Sequence, residues 1–232
     1  MKIQYFVFNY AHFHEAKDLL NRFLNEGLDA YLLSNEAPND PEYEETDRVK
    51  KFSNIFYTGQ WNEALKLFNA DILFITNADV TINSIPELVS KMTNFYEKYK
   101  SDLYAPNHYW TSWTFDPNLL EDLEPNLKLV PMTDSTIWSI SADIVQKVGQ
   151  IDLDINKLGW GIEILAAWYC KQLGKYVVRD YSVKYKHPRS TKYNRHEADK
   201  QFRKMISSRG LGQEFWKYYN SRNKFGFGHY DV

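Results

Sequence analysis

Small polar side chains follow a short apolar run in residues 70–83, which read ADILFITNADVTIN. Residues 72–75 are apolar and favour β structure, which is typical of a strand buried on both faces of a parallel sheet. Asn77 and Asp79 come directly after this run, and open α/β sheets bind ligands at the carboxyl ends of their strands. An acidic residue there, flanked by an amide and a hydroxyl, could hold a divalent cation beside a nucleotide diphosphate. The alternative is an ordinary turn, because Asn and Asp are common turn residues.

Two earlier strands of the pattern also end in polar residues. Tyr10 follows a first strand over residues 2–8, and Asn35 follows a second strand over residues 30–33. Because the carboxyl ends of neighbouring parallel strands meet at one edge of a sheet, both residues are predicted to lie on the same edge as Asp79. Tyr10 could stack on a nucleotide base, and Asn35 could hydrogen-bond the edge of that base. Both residue types are common, and only their shared position favours binding.

The composition excludes several classes of protein. The balance of 28 basic and 30 acidic residues lacks the positive excess that binding of duplex nucleic acid usually needs. The single cysteine, Cys170, excludes an intrachain disulfide and a multi-cysteine zinc site. No apolar run approaches the roughly 18 residues that span a bilayer, and polar residues interrupt the N-terminus where a signal peptide would be apolar. We therefore expect a soluble cytoplasmic protein without a nucleic-acid partner, and peripheral attachment to a membrane stays open as an alternative.

The order of the elements predicts a parallel sheet in the first half of the chain. Helical patterns over residues 11–26 and 64–68 separate strands, and further strands are predicted at residues 54–57 and 72–75. Right-handed crossovers wind such a β-α-β order into a parallel sheet. Ser84 then begins a helix that ends near residue 100, because Glu87 stands at the spacing of a capping box.

The second half of the chain mixes strands with short helices. Strands are predicted at residues 103–115, 127–132, 136–140 and from 176 onward, helices at residues 141–148 and 162–173, and a helical tail from residue 194. The length of 232 residues suits one α/β domain.

The predicted parallel half has the residues Asn-Ala-Asp, at positions 77–79, after its fourth strand. The mixed half that follows contains the segment GWGIE and an isolated histidine in the segment YKHPRS. Residues 148–180 read VGQIDLDINKLGWGIEILAAWYCKQLGKYVVRD. This stretch is similar to a pattern with the segment VGGFDE, a spacer, the segment GWGxED, an amphipathic helix, the segment AGY and a strand, in that order. From residue 3 to about residue 187 the chain resembles glycosyltransferases of the A fold, in particular small family-2-like and galactosyltransferase-like enzymes.

The resemblance implies a fold class and a division of the chain. It implies one α/β domain of the glycosyltransferase A fold over residues 1–232, with a Rossmann-like, mostly parallel nucleotide-binding half over residues 1–100. A mixed acceptor-binding half over residues 101–193 and a helical tail over residues 194–232 complete the expected domain.

The resemblance also implies a metal site. Asp79 takes the metal-binding position of the family's DxD motif, and Asn77 replaces the first aspartate, so the expected affinity for Mn²⁺ or Mg²⁺ is lower. His187 matches a histidine that the family uses as a further metal ligand. One or two carboxylates suffice when a diphosphate and water supply the remaining oxygens. Arg189 could neutralise the leaving diphosphate, and a solvated basic loop is its alternative explanation.

Glu163 stands at the glutamate of GWGxED, whereas Ile164 replaces the aspartate that serves as catalytic base in several family members. The resemblance therefore implies Glu163 as the base, facing a cleft from the first turn of its helix, with Asp134 as the rival carboxylate. A glutamate in a first helical turn also suits the helix dipole, and Asp134 also fits a turn.

Three tryptophans are candidates for stacking against sugar rings in the acceptor cleft, or for core packing: Trp110, Trp113 and Trp160.

The implied activity is a metal-dependent, inverting hexosyltransferase that moves a sugar from a nucleotide diphosphate donor, with a UDP-sugar favoured, to a hydroxyl of a glycan or another acceptor. A sugar-phosphate nucleotidyltransferase is disfavoured, since no glycine-rich loop with Arg or Lys follows the first strand. A catalytically idle sugar- or nucleotide-binding module is the other alternative, which the changes at Asn77 and Ile164 would permit.

Overall fold

A ten-stranded mixed sheet with helices on both faces organises the chain in a computed structural model of the full sequence. The structure describes residues 1–38, 40–108, 115–188 and 194–227. Within these residues the strands are β1 (Ile3–Tyr10), β2 (Asp29–Asn35), β3 (Val49–Phe52), β4 (Ile72–Asn77), β5 (Thr81–Ile82), β6 (Leu103–His108), β7 (Asp122–Glu124), β8 (Leu127–Leu129), β9 (Ile137–Ser141) and β10 (Val177–Lys186). The helices are α1 (Phe13–Asn25), α2 (Phe56–Leu67), α3 (Ile85–Tyr99), α4 (Ala142–Val148), α5 (Leu153–Asn156), α6 (Ile162–Gln172), α7 (Arg195–Ser208) and α8 (Gln213–Ser221), with 3-10 turns at Pro117–Leu119 and Arg222–Phe225.

The strand order of the sheet is β3-β2-β1-β4-β9-β6-β10-β8-β7, and β5 pairs with β10 beside this path. Strands β3, β2, β1 and β4 run parallel to one another. Strand β9 lies antiparallel between β4 and β6, and β10 is parallel to β6. A parallel first half and a mixed second half are therefore confirmed.

Two apolar cores lie on the two faces of the sheet. Along β1, Phe6 and Phe8 pack on the face that carries α2, α4 and α6, whereas Tyr5 and Val7 pack on the face that carries α1 and α3. Because side chains alternate along a strand, a strand covered on both faces must be apolar throughout. The buried run over residues 72–75 in β4 has this pattern for the same reason.

Local signals set several helix boundaries. The Ser84 hydroxyl accepts a hydrogen bond from the Glu87 backbone N–H at 3.2 Å, and the Ser141 hydroxyl accepts one from Ile144 at 3.4 Å. Such caps satisfy N–H groups that a helix start leaves unpaired. The predicted starts of α3 and α4 are confirmed.

The strand predicted over residues 54–57 is wrong. The third strand is β3, and Phe56 already begins α2. Strand β3 lacks the apolar pattern by which buried strands are predicted, because it lies at the edge of the sheet. Its residues Lys50 and Lys51 are only half-buried. The β-prone residues 55–57 instead form the start of a helix that packs on the sheet, so tertiary packing overrides their local preference.

Candidate functional site

Asp79 and His187 meet beyond the carboxyl ends of β4 and β10. Asp79 lies two residues past β4, and the short β5 that follows pairs antiparallel with the end of β10, with Thr81 opposite Lys186. This pairing brings the next residue of β10's extension, His187, to Asp79, and His187 Nε2 lies 3.3 Å from Asp79 Oδ1. The two residues predicted as metal ligands thus lie side by side, although their role as ligands stays a prediction.

The two groups stabilise each other's charged form. Burial by itself raises the pKa of Asp79, but the hydrogen bond and charge of His187, with a further contribution from His12, lower it below its ordinary value. Burial lowers the pKa of His187, but the Asp79 partner outweighs burial and raises it. An ionised Asp79 carboxylate is therefore favoured at the edge of the sheet.

The geometry of this pair fits two neighbouring ligands of one cation. Two adjacent ligands of an octahedral ion, each about 2.1 Å from the metal, lie about 3 Å apart. The observed 3.3 Å between Asp79 and His187 matches this separation. Among the described residues no third His, Cys, Asp or Glu completes a metal-binding cluster. A cation held here would keep several positions for ligand oxygens and water.

The three residues predicted to contact nucleotide lie along the same edge. Tyr10 ends β1 with 46% of its surface exposed, and it pairs in register with Asn35 at the end of β2. Asn77 ends β4 and is half-buried. Asn35 is only 1% exposed, and its side-chain oxygen accepts a hydrogen bond from Ile55 N at 3.2 Å. The side-chain amide oxygen of Asn35 is thus already hydrogen-bonded to a backbone N–H group. Contact of Tyr10, Asn35 and Asn77 with a nucleotide stays a prediction.

Asp134 lies in a buried network rather than in an open turn. Its Oδ2 accepts from Arg179 Nη2 at 3.2 Å, and its Oδ1 accepts from Tyr185 Oη at 3.1 Å and from the Thr136 backbone N–H at 3.1 Å. The Thr136 hydroxyl also donates to Oδ1. Burial alone raises the pKa of Asp134, but Arg179 and Thr136 outweigh it and lower the pKa. Asp134 is therefore an ionised group whose oxygens are already hydrogen-bonded.

Glu163 is enclosed, contrary to the expected position facing a cleft. It is 4% exposed, and within the described part of the chain its Oε2 has no hydrogen-bond partner. Helix α6 is buried nearly all round, because it packs against the sheet, α4 and α8. Burial, with a smaller contribution from the charge of Asp134, raises the pKa of Glu163 to about 8.

The GWG turn before Glu163 has a packing explanation. Gly159 and Gly161 have φ angles of +74° and +88°, in the left-handed region that favours glycine. A Cβ on Gly159 would lie 2.4 Å from the Tyr57 ring, and one on Gly161 would lie 2.2 Å from the Phe202 ring. Trp160 between them is half-buried and packs against the core. Close approach of two rings therefore requires both glycines.

Two residues of this region, His108 and Arg179, were not predicted. His108, at the end of β6, lies with its ring 5.8 Å from that of His187, and burial lowers the pKa of His108 to about 4. Arg179 is fully buried beside Asp134. Its position directly after Val177 and Val178 in a predicted strand was a usable signal, since a buried arginine nearly always has a partner. His108 carried no comparable signal.

Three predicted site residues, Trp110, Trp113 and Arg189, lie outside the described residues. No described helix combines the length and the apolar character needed to cross a membrane.

The chain resembles solved structures but matches no family model and no curated protein. One similar structure is mannosyltransferase PcManGT from Pyrobaculum calidifontis in complex with GDP-Man and Mn²⁺, with a TM-score of 0.60 and 10% identity over 95% of this chain and 69% of that chain. Another is GalNAc-T7 with UDP, GalNAc and Mn²⁺, with a TM-score of 0.62 and 11% identity over 96% of this chain. The match spans about half, 51%, of the GalNAc-T7 chain. At these identities the likeness identifies the fold, and the chain has the glycosyltransferase A fold.

Proposed function

We propose that this chain is a divalent-cation-dependent glycosyltransferase that moves a sugar from a nucleotide diphosphate to an acceptor hydroxyl. The observation that carries the proposal is the Asp79–His187 pair, 3.3 Å apart at the carboxyl edge of the sheet. Ligands bind at this edge in open α/β sheets. Two solved structures of similar fold contain Mn²⁺ with GDP-Man or UDP, which supports a nucleotide sugar as the donor.

In this proposal Asp79 and His187 hold Mn²⁺ or Mg²⁺ and leave its other positions to the donor. The bound cation would supply positive charge for the departing diphosphate. Tyr10 presents an exposed ring at the same edge for a base, and Asn77 presents an amide close to Asp79 in the chain. Arg189 would add a second positive charge. A UDP-sugar is our favoured donor.

The acceptor hydroxyl needs a group that takes its proton. In our proposal Glu163 accepts that proton while the acceptor oxygen bonds to the anomeric carbon. The bond from this carbon to the phosphate oxygen breaks, and the diphosphate leaves with the electron pair. One displacement of this kind inverts the anomeric centre, and general-base assistance contributes about 10²- to 10⁴-fold.

A binding module without transferase activity is the second candidate. The observation that favours it is the state of the two carboxylates: Glu163 has a pKa of about 8, and Asp134 is held by Arg179, Thr136 and Tyr185. At neutral pH neither is a free, ionised base. Turnover of a nucleotide sugar separates the two candidates.

Calorimetric titration tests the metal and nucleotide site. We expect Mn²⁺ to strengthen binding of UDP or GDP to the unaltered protein, and Asp79→Ala to remove this dependence on Mn²⁺, since the ionised oxygen ligand is lost. Asp122→Ala is the matched control, because Asp122 is a surface carboxylate that pairs with Lys128. Equal Mn²⁺-dependent affinity in the Asp79 variant would remove Asp79 from the site.

His187→Ala should weaken Mn²⁺-dependent nucleotide binding less than Asp79→Ala does. The imidazole is a neutral ligand when it binds a metal, so its loss removes a donor atom but no negative charge. The same titrations measure this difference. A His187 variant that binds as tightly as the unaltered protein would exclude the imidazole as a ligand.

A further inference from the structure

The first turn of α2 connects the loop that carries Asp134 to the loop that precedes α6 and Glu163. Tyr57, in this turn, donates its hydroxyl hydrogen bond to the backbone oxygen of Ser135 at 3.3 Å. Ser135 directly follows Asp134. The Tyr57 ring also meets Phe8, near the end of β1, edge-on at 5.1 Å between centroids. Tyr57 therefore contacts the edge of the parallel half and the Asp134 loop at once.

The same turn is tied to the loop that leads into Glu163. The Tyr57 ring packs so closely on Gly159 that no Cβ fits there. The neighbouring Thr58 donates from its backbone N–H to Lys157 O at 3.3 Å and from its hydroxyl to Asn156 O. These contacts join α2 to residues 156–159 on the chain just before α6.

The backbone is strained at Phe56, the first residue of α2. Phe56 has a φ angle of +58°, which is an outlier for a bulky residue with a Cβ. Such a conformation persists only when its surroundings over-determine it, and it often occurs at functional sites. Lys157 Nζ lies over the Phe56 ring, 4.9 Å from its centre. The strained residue directly precedes Tyr57 at the start of α2.

Burial and the two carboxylates act in the same direction on the pKa of Tyr57. Burial raises the pKa of Tyr57, and the negative charges of Glu163 and Asp134 raise it further. The raised pKa therefore keeps the hydroxyl protonated at neutral pH, as a donor to Ser135.

We propose that Tyr57 is a positioning residue that couples the Asp134 loop to the loop over residues 156–159, which leads into Glu163, and so sets the relative position of the two carboxylates. The coupling rests on the contacts of Tyr57 with Ser135 and Gly159, whereas its catalytic consequence rests on the proposed glycosyltransferase function. Tyr57 itself does not have to touch the reacting atoms.

Hydrogen–deuterium exchange tests the coupling without any substrate. Tyr57→Phe keeps the ring against Gly159 and removes only the hydroxyl, with its bond to Ser135, so it should fold. We expect faster exchange in peptides that cover residues 132–138 and 153–163. Tyr96→Phe is the matched control, because it also removes a buried hydroxyl bond, to Ser139 at 2.9 Å, but on the opposite face of the sheet. The control should leave both peptides unchanged at a similar loss of thermal stability.

Nucleoside diphosphate release from a panel of UDP- and GDP-sugars with Mn²⁺ tests the consequence. Misplaced catalytic groups slow a reaction, so Tyr57→Phe should lower turnover by about tenfold or more, with calorimetric affinity for the nucleotide unchanged. Tyr96→Phe should keep full turnover. Unchanged exchange in both loop peptides, or unchanged turnover, would overturn the proposal. Faster exchange together with no turnover by the unaltered protein would support the coupling and overturn the proposed function instead.

Discussion

Glu163 and Asp134 are two buried carboxylates whose surroundings drive their pKa values apart. Glu163 has no charged partner among the described residues, and burial raises its pKa to about 8. Asp134 is equally enclosed, but Arg179 and Thr136 lower its pKa. Such a divergence is typical of sites where one acid stays protonated and another stays ionised. At neutral pH the pair therefore carries one negative charge, on Asp134.

Glu163→Gln should lower sugar transfer by about 10² to 10⁴ if Glu163 is the base, because Gln keeps the size but cannot accept the proton. Affinity for the donor should be preserved, since the change affects only the acceptor side. Steady-state kinetics with the best donor of the panel measures both. Since the pKa is about 8, the rate of the unaltered protein should rise with pH and level off above that value.

Asp134→Asn is the comparison for this prediction. An active Glu163 variant beside a dead Asp134 variant would make Asp134 the base. Full activity in both variants would place the base elsewhere or exclude this mechanism.

Glu163→Gln should also stabilise the protein at neutral pH. The pKa of Glu163 is about 8 in the folded chain and 4.5 in the unfolded chain, so the folded state binds the proton more tightly. Stability is then greatest below pH 4.5 and is lost as the pH rises towards 8, a loss on the order of 1–4 kcal/mol. Urea unfolding from pH 5 to pH 8 should show a slope for the unaltered protein that the variant lacks. Parallel curves would mean that Glu163 is not buried in its neutral form.

At the scale of elements, the GWG turn is held from two sides, by α2 and by α7. Tyr57 covers Gly159, and Phe202 of α7 covers Gly161. Asn156 braces the turn from within, since its side chain donates to Trp160 O at 3.0 Å and accepts from Gly159 N at 3.1 Å. Helices α2 and α7 therefore help to shape the turn that precedes Glu163.

Gly161→Ala should destabilise the fold by about 2–4 kcal/mol, because the new Cβ meets an aromatic ring and the left-handed φ is strained. Gly174→Ala is a control with a φ of +65° and no atom within 4 Å of the added Cβ, so it should cost only about 1 kcal/mol. Chemical unfolding compares the two. Equal losses would mean that contact with Phe202 contributes nothing.

Arg179 of β10 and Asp134 in the loop before β9 form a buried ion pair, which is a second connection between elements. Arg179→Met would leave the charge of Asp134 buried without its guanidinium, which typically costs about 3–5 kcal/mol. Adding Asp134→Asn should recover much of that loss, because no buried charge then remains. Urea unfolding of the single and double variants measures the recovery. A double variant as unstable as the sum of the single variants would show that the two residues act independently.

At the scale of the whole molecule, ligand binding should raise the melting temperature by linkage. A ligand that binds only the folded state stabilises it by about 2.7 kcal/mol at 100 times its Kd. For a chain of this length that corresponds to about 5–10 °C. We expect Mn²⁺ and a nucleoside diphosphate together to produce this shift, and Asp79→Ala to abolish it. A shift of equal size in that variant would locate the ligand elsewhere.

The sequence by itself determined the features that depend on neighbours along the chain. The apolar run of β4, the caps at Ser84 and Ser141 and the order of strands and helices follow from local periodicity and capping chemistry. That order was enough to predict the parallel half and the mixed half, whereas the glycosyltransferase A fold was implied by the resemblance of the motifs at residues 77–79, 148–180 and 187. The resemblance of residues 148–180 added candidate residues, but local pattern could not say what surrounds them.

Only the tertiary structure decided which distant residues meet. Strand β5 brings His187 to Asp79, 108 positions earlier in the chain, through a two-residue antiparallel pairing that has no periodic signal. The edge position of β3 and the enclosure of Glu163 likewise depend on which elements pack against them. A carboxylate's pKa follows its desolvation and its partners, and both arise when the chain folds. For that reason the same residue type is neutral at Glu163 and would be charged on the surface.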